Sequence, residues 1–463
     1  MDVEILSRIQ FAFTISFHYI YPPLSIGLGL VMVIMEGMYL RTGNKLYESM
    51  TRFYTRIFAL IFGIGVATGI VMEFEFGTNW AVYSRYVGDV FGSALAAEGI
   101  FAFALESGFL GVLLFGWNKV SPKVHFFSTI MVTLGSMFSA IWIVVANSWQ
   151  QTPAGFHIVG EGMEARAEIT DFWAMVFNPS SVDRVLHVWI GAFLAGACLV
   201  LSISAWYLVK KKHIEFARAS FRIALMVALV SSWAQLLIGH RSAEVVAVHQ
   251  PAKLAAMEGH FETGPADMYI FGWVNKRLEQ TRGIALPGGL SFLTTGSFSR
   301  PVKGLKDFRP EDRPQALNAV FQFYHFMVAI GILLIVLSTY VSILLWRKRL
   351  FEKTWLMRLC VVSVMLPQIA NQSGWYTAEM GRQPWVVYGL LRTGDALSKA
   401  VKAEQVLFSL ILFALVYLVL FILFIYLLNK KIIHGPDYAA AEMHSPNLES
   451  MANQLSMQDK TKN

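Results

Sequence analysis

The sequence predicts an all-α, polytopic membrane protein with about nine transmembrane helices, and three observations lead to this fold class. Of the 463 residues, 55% are hydrophobic and only 15% are charged, whereas an ordinary soluble domain is about 25% charged. Apolar stretches long enough for a helix to cross ~30 Å of hydrocarbon recur along almost the whole chain. The formal charge of +7 lies in short basic clusters between these stretches, a pattern typical of membrane topology signals and not of nucleic-acid binding.

The apolar stretches predict nine spans, most of them joined by short polar connections. Their approximate positions are 9–39, 53–76, 94–117, 125–148, 184–209, 219–246, 318–347, 355–378 and 403–430. Lys and Arg cluster after the odd-numbered spans, for example Lys210, Lys211 and Lys212 after the fifth. Because basic loops stay in the cytoplasm, we expect the N-terminus outside and the C-terminus inside.

The same pattern divides the chain into four regions. Residues 1–246 carry the first six spans, 247–317 form a long outer loop, 318–434 carry the last three spans, and 435–463 form a polar tail that we expect to be flexible and cytoplasmic. A loop of that length is usually functional or disordered. The two cysteines form no CxxC or CxxCH motif, so neither a disulfide framework nor covalently attached haem is indicated.

Two carboxylates interrupt the third span, which reads ALAAEGIFAFALESGFLGVLLFG and contains Glu98 and Glu106. Ionisable groups at membrane depth cost about 2.5–3.5 kcal/mol each, so each requires a partner or a function. In a regular α-helix the two side chains differ by about 80° in direction and about 12 Å in depth. This spacing suits a proton relay through the membrane; the simpler alternative is a pair of hydrogen bonds between helices.

Three residues are candidates for binding haem iron. His18 on the first span and His187 near the outer end of the fifth carry imidazole, a common axial ligand. Met327, near the outer end of the seventh span, could complete a His/Met pair that clamps a haem from its two faces. Taken singly, His18 is more often a histidine held by a neighbouring helix, His187 is more often an ordinary surface histidine, and a methionine is more often part of the core.

The outer end of the eighth span contains further polar candidates, in NQSGWYTAEMGRQPW. Glu379 could ligate iron or pair with Arg382, and Arg382 could bind a haem propionate or a lipid headgroup. We also predict that Trp375 contacts a cofactor. With the predicted orientation, His18, Glu98, His187, Met327 and Glu379 share the outer half of the membrane on five different helices, whereas Glu106 lies deeper. A redox centre near the outer face explains that shared depth.

The sequence resembles subunit I of the cytochrome bd ubiquinol oxidases in several ordered motifs. These are MEFEFGTNW (72–80), the segment from Glu98 to Glu106 and GRQPW (381–385), within a resemblance that runs from SRIQFAFT to about residue 430. The resemblance implies two haems b and one haem d, or a third haem b in its place. It assigns His187 and Met327 to the iron of the low-spin haem b, His18 to a high-spin haem and Glu379 to the other high-spin haem b.

The resemblance also implies roles for four further residues. Glu98 corresponds to an acid beside the oxygen site and Glu106 to one on the proton path. In the outer loop, HQPAKLAAMEGHFET places Lys253 and Glu258 at positions implicated in quinol oxidation, in the shorter of the family's two loop variants. A carboxylate can accept a quinol proton, and an ammonium group can stabilise the developing oxyanion. Without the resemblance, the two would be interpreted as a solvated charge pair.

One residue departs from the family pattern. The family commonly has arginine two residues before the ligating methionine, where this sequence has His325. Histidine there predicts a more pH-dependent haem potential, or competition between His325 and Met327 for iron.

The resemblance implies a respiratory quinol:oxygen oxidoreductase of the prokaryotic plasma membrane. Quinol is oxidised outside, oxygen is reduced to water with protons from the cytoplasm, and a proton motive force arises without pumping. The implied partners are a second large subunit and the lipid bilayer, with quinol and oxygen as substrates; a small single-helix accessory chain stays open. Two alternatives are a haem protein with a donor other than quinol and a haem-free ion transporter, although the missing internal repeat argues against a transporter.

Overall fold

The computed structural model describes residues 2–437 and confirms the all-α fold class. The predicted flexible tail lies outside the described residues from position 438 onward. In the first half of the chain the helices are α1 (Val3–His18), α2 (Tyr21–Thr42), α3 (Lys45–Thr78), α4 (Ala81–Tyr86), α5 (Gly88–Glu98), α6 (Ala104–Phe115), α7 (Pro122–Gln151), α8 (Phe172–Val176) and α9 (Ser181–Val209). A single π-helical turn, Gly99–Phe103, joins α5 to α6.

The second half continues the same architecture. Its helices are α10 (Ile214–His249), α11 (Pro251–Glu258), α12 (Gly289–Thr295), α13 (Leu317–Trp346), α14 (Thr354–Val362), α15 (Met365–Met380) and α16 (Ala403–His434). Three antiparallel strand pairs lie in the connections: β1 (Phe156–Val159) with β2 (Arg166–Ile169), β3 (Met268–Asn275) with β4 (Gln280–Leu286), and β5 (Trp385–Val387) with β6 (Leu391–Arg392). Each pair is an isolated hairpin, so helix packing determines the fold.

Among the described residues, eight segments are long and apolar enough to cross a membrane. They coincide with eight of the nine predicted spans. The eighth predicted span, 355–378, instead consists of two shorter helices, α14 and α15, separated by Ser363 and Val364. The number of crossings and the orientation of the termini remain predictions.

The first apolar segment is also broken, between α1 and α2 at Tyr19 and Ile20. Pro22 and Pro23 follow directly. Proline lacks a backbone N–H and clashes with the preceding helical turn, so it is tolerated in a helix mainly at its first turn. The break places His18 at the C-terminal end of α1.

The core forms where α2, α3, α9 and α10 pack together. A Cβ atom on Gly196 of α9 would lie 2.1 Å from the backbone of Gly27 on α2. Small residues let two membrane helices approach this closely, which maximises their van der Waals contact. The backbones of α2 and α9 are thus in direct contact, and the candidate site residues lie around this core.

Candidate functional site

One cavity of about 840 Å³ collects six of the predicted site residues. His18, Glu98, Glu106, Trp375, Glu379 and Arg382 all line it. The rest of the wall is mainly apolar and comes from α1, α3, α7 and α15. Cofactor sites typically have this size and this combination of an apolar wall with a few convergent polar groups.

His18 projects from the end of α1 towards α3. Its Nδ1 atom lies 3.0 Å from Oγ1 of Thr68. A Cβ atom on Gly69 would lie only 3.3 Å from Cε1 of His18, so the glycine leaves room for the ring. Because Nδ1 is engaged with the threonine, Nε2 is the ring nitrogen that can ligate a metal.

Glu98 and Glu106 each accept a hydrogen bond from a serine on α7. Ser139 donates to Glu98 at 2.5 Å, and Ser136 donates to Glu106 at 2.7 Å. The π turn between the two acids inserts one extra residue into the helix. The eight positions from Glu98 to Glu106 therefore rotate about the helix axis by about as much as seven α-helical residues, and the two side chains differ by about 20° in direction. Both carboxylates therefore line the cavity, in closer alignment than a regular helix would provide.

Glu379 lies in a network of amides and cations at one end of the cavity. It accepts from Asn147 Nδ2 and Gln151 Nε2, each at 3.2 Å, and from Arg382. Arg382 also donates to Gln150 Oε1 at 3.1 Å. These partners fix the carboxylate at the cavity wall.

Arg184 adds a second guanidinium group to this network. It donates to Asn147, and its Cζ atom lies 5.8 Å from the centroid of the Trp375 ring. Its Nε atom is buried without a hydrogen-bond partner. A buried, unpaired guanidinium N–H is costly in isolation, so Arg184 and Arg382 fit the anionic propionate groups of haem.

His187 and Met327 are not among the residues that line the cavity. His187 on α9 lies beside Gln235 of α10, whose Nε2 atom is 3.1 Å from His187 Nε2. Met327 on α13 packs against α15, where a Cβ atom on Gly374 would meet its sulfur at 2.9 Å. Gly191, one turn from His187, faces Asn371, one turn from Gly374. The imidazole and the thioether thus lie on two helices, α9 and α13, that both pack against α15, which suits the two sides of a haem.

Both ring nitrogens of His325 are engaged with backbone carbonyl groups. Nδ1 lies 2.8 Å from the Phe321 oxygen, and Nε2 lies 2.8 Å from the Tyr269 oxygen of β3. His325 would have to give up one of these backbone contacts before it could ligate iron. The arrangement therefore favours Met327 as the ligand.

Lys253 and Glu258 lie on α11 of the outer loop and are almost fully buried. The Lys253 ammonium donates to Gln151 and, at 2.5 Å, to Gln250 Oε1. Burial lowers the pKa of Lys253 well below its usual range. Because Gln151 also donates to Glu379, one glutamine connects α11 to the cavity network.

Glu258 faces α13 at the other end of α11. Burial raises its pKa to about 7, against a hydrogen bond with Tyr324 that lowers it. Its Oε2 atom is buried without a partner. A carboxylate with a free oxygen and a pKa near neutrality is suited to accept a proton from a bound substrate.

Sequence reasoning did not identify several residues of the site. The largest omission is the amide and guanidinium set around Glu379, formed by Asn147, Gln150, Gln151 and Arg184. The amides lie at the end of a predicted span and Arg184 lies at the start of another, and polar or basic residues are ordinary at such positions. Glu73, a further acid in an apolar span, also lines the cavity; its position within MEFEFG was a signal that could have identified it.

Comparisons with known proteins agree over nearly the whole chain. Residues 6–436 match the model of the family described as cytochrome bd terminal oxidase subunit I. Subunit 1 of a cytochrome bd ubiquinol oxidase from Bacillus subtilis is 38% identical, with 95% of each chain covered. Subunit 1 of the cytochrome bd-II ubiquinol oxidase from Escherichia coli is 34% identical, over 95% of this chain and 98% of that one. The solved structure of a bd oxidase from Geobacillus thermodenitrificans superposes with a TM-score of 0.87 at 30% identity, covering 94% of this chain and 99% of the other.

Proposed function

The chain belongs to the family of cytochrome bd terminal oxidase subunit I, and from this premise we propose that it oxidises quinol at the outer face and reduces oxygen to water with protons from the cytoplasm. Membership makes it part of a quinol oxidase. With its eight apolar helices, it is a multi-pass protein of the prokaryotic plasma membrane. We further propose which residues carry out these reactions and in which direction the protons move.

The observation that carries the proposal is the cavity that holds one imidazole, four carboxylates and two guanidinium groups in a mainly apolar wall. A soluble-type core would not bury these groups together without a ligand. We assign His18 and Glu379 to the irons of the two high-spin haems, with Arg184, Arg382 and Trp375 around the haem edges. We assign His187 and Met327 to the low-spin haem b. Bound haem supplies the electron-transfer centres and the oxygen-binding iron, as two haems b and one haem d or as three haems b.

In quinol oxidation, Glu258 and Lys253 have different roles. Glu258 takes a quinol proton, because its carboxyl has a pKa of about 7 and one unpaired oxygen. Lys253 donates a hydrogen bond that stabilises the oxyanion formed when the quinol loses its proton. Its two amide partners, Gln151 and Gln250, hold the ammonium in place.

On the proton side, Glu106 and Glu98 carry protons from the cytoplasmic half towards the cavity. Both carboxylates are hydrogen-bonded to serines of α7, and the π turn aligns them on one side of the helix. Protons taken up inside are consumed with oxygen, and quinol protons leave outside. A proton motive force therefore arises by charge separation, without a pump. A second large subunit completes the enzyme in this proposal, and a small accessory chain is compatible with it.

A reduced-minus-oxidised absorbance spectrum of the purified complex, together with Glu106→Gln kinetics, tests this function. We expect b-type and d-type bands, or b-type bands alone if a third haem b is present. Glu106→Gln should slow oxygen turnover by about 10²-fold or more, while quinol still reduces the low-spin haem. Equal loss of both rates would contradict the proton-path role of Glu106.

The same spectrum separates the two alternative functions. A haem-free ion transporter would show none of these bands. A haem protein with another electron donor would show the bands but would not be reduced by quinol. The buried pair Lys253 and Glu258 favours quinol over that alternative.

A further inference from the structure

The outer loop contains an apolar surface that faces away from the protein. On the β3–β4 hairpin the side chains of Phe271, Trp273 and Ile284 are 71%, 65% and 68% exposed. Ile270 and Leu286 extend this face, which we call the hairpin face. Aqueous loops do not normally present a continuous surface of large apolar side chains, so the hairpin face requires a partner.

The hairpin is fixed along the first turns of α13, and three hydrogen bonds give its direction. The Val274 backbone N–H donates to Asn318, Gln322 donates to the Gly272 carbonyl, and His325 contacts the Tyr269 carbonyl. In these three contacts the residue numbers on β3 decrease as those on α13 increase. The start of β3 therefore lies deepest along α13, and the hairpin turn lies at its N-terminal end.

The side chains of the hairpin follow that direction in polarity. At the base, Met268 pairs with Leu286 and Phe271 pairs with Ile284. Two pairs further on, Trp273 pairs with Arg282. The turn, 275–280, reads NKRLEQ and is mainly polar. The hairpin is therefore apolar at its base, has Trp273 and Arg282 in the middle and is polar at its turn. A membrane presents the same order of environments, from hydrocarbon through headgroups to water.

The base of the hairpin reaches the level of the membrane-facing surface of α13. His325, which contacts Tyr269, lies well inside the apolar segment Pro310–Trp346. Its neighbour Phe326 is 53% exposed on the outside of α13. The base of the hairpin face therefore lies level with exposed apolar side chains on a candidate membrane-spanning helix. The short helix α12, which packs on α10, adds exposed Phe292 at the same base.

We propose that the base of the β3–β4 hairpin is embedded in the outer leaflet of the lipid bilayer, with Trp273 and Arg282 at the headgroup level. The interior face of the same hairpin covers α11: a Cβ atom on Gly259, next to Glu258, would meet Thr281 at 2.4 Å. A lipid-soluble substrate would then leave the bilayer beside Glu258. That consequence rests on the proposed quinol oxidation, whereas the membrane contact does not.

Depth measurement by spin labelling tests the membrane contact independently of turnover. Both native cysteines of this chain are buried, so Ile284→Cys introduces one accessible thiol, and Arg277→Cys in the hairpin turn is the matched control. The labelled complex is reconstituted in lipid vesicles, and the wild-type complex gives the background from other subunits. Relaxation of the spin label by dissolved oxygen indicates a hydrocarbon environment, and relaxation by a water-soluble nickel chelate indicates exposure to water.

We expect the label at position 284 to be relaxed several-fold more strongly by oxygen than by the nickel chelate, and the label at 277 to show the reverse. Strong relaxation by the chelate at 284 would place the hairpin face in water and overturn the proposal. Weak relaxation by both reagents would mean that a protein covers the face, which would also overturn it.

Discussion

Glu258 shows how burial at a single residue sets a pH dependence. Its carboxyl must be ionised to accept a quinol proton, and burial raises its pKa to about 7. We therefore expect kcat/KM for quinol to rise with pH through this range and to level off above it, because the carboxylate becomes the dominant form. Glu258→Gln should remove the rise and lower the plateau. Measurement of the full pH profile checks this.

Glu262→Gln is a matched control for that profile. Glu262 lies four residues further along the same loop but is exposed and pairs with Lys306. Its removal should leave the pH profile unchanged. A profile that keeps its shape in Glu258→Gln would exclude Glu258 as the base.

Gln151 is the residue that joins the two halves of the site. It accepts from Lys253 and donates to Glu379. Gln151→Leu leaves the buried ammonium with one partner fewer, which costs about 1–3 kcal/mol. We expect kcat/KM for quinol to fall by roughly tenfold or more and the absorbance bands of the high-spin haems to shift, because Glu379 also loses a donor.

Gln280→Leu, on the exposed part of β4, provides the comparison for Gln151. It should change neither the kinetics nor the spectrum. A Gln151→Leu variant with reduced kcat/KM but an unchanged spectrum would restrict the glutamine to the quinol site and contradict its link to Glu379.

At the scale of elements, the π turn between α5 and α6 depends on how closely α7 approaches. A Cβ atom on Gly135 of α7 would lie 2.5 Å from Cγ of Glu106 and 3.3 Å from the Ala102 carbonyl oxygen. Gly135→Ala should therefore displace Glu106, at an overpacking cost of about 1–3 kcal/mol. We expect slower oxygen turnover with intact quinol-dependent reduction, the same pattern as in Glu106→Gln.

Gly108→Ala and Gly111→Ala separate this effect from a general loss of stability. Both glycines lie on α6, and a Cβ atom at either position meets nothing within 4 Å. These variants should retain normal turnover. If Gly135→Ala impaired both reactions equally, or lowered the melting temperature of the complex without affecting the relay, the positioning argument would fail.

The sequence predicted the membrane helices well but not their interruptions. Hydropathy is insensitive to a two-residue break, so the splits at Tyr19 and at Ser363 were not predicted, although Pro22 signalled the first. The π turn at Gly99–Phe103 carries no distinctive sequence pattern, because it depends on contacts with α7. The predicted separation of about 80° between Glu98 and Glu106 was too large for this reason.

At the scale of the whole molecule, the family and the fold class were predictable because membrane length and ordered motifs constrain them strongly. Of the five residues predicted to share one depth, His18, Glu98 and Glu379 line the common cavity, whereas His187 and Met327 do not. The amide network around Glu379 was not predicted, because it joins α7, α9, α11 and α15, and contacts between such distant segments leave no local pattern. The roles of individual residues accordingly remain predictions.

The proposed sites of quinol oxidation and of proton uptake lie at opposite depths, and this leads to a prediction for the complete enzyme. Lys253 and Glu258 lie in the loop at one end of the helices, whereas the proposed function has Glu106 receive protons from the other half. If each quinol proton leaves outside and each proton for water comes from inside, protons released outside should equal electrons transferred. Measurement of external acidification in proteoliposomes, against oxygen consumed, tests this. A pump would release more protons than electrons, and proton uptake from the outer side would release none, so either result would contradict charge separation across this fold.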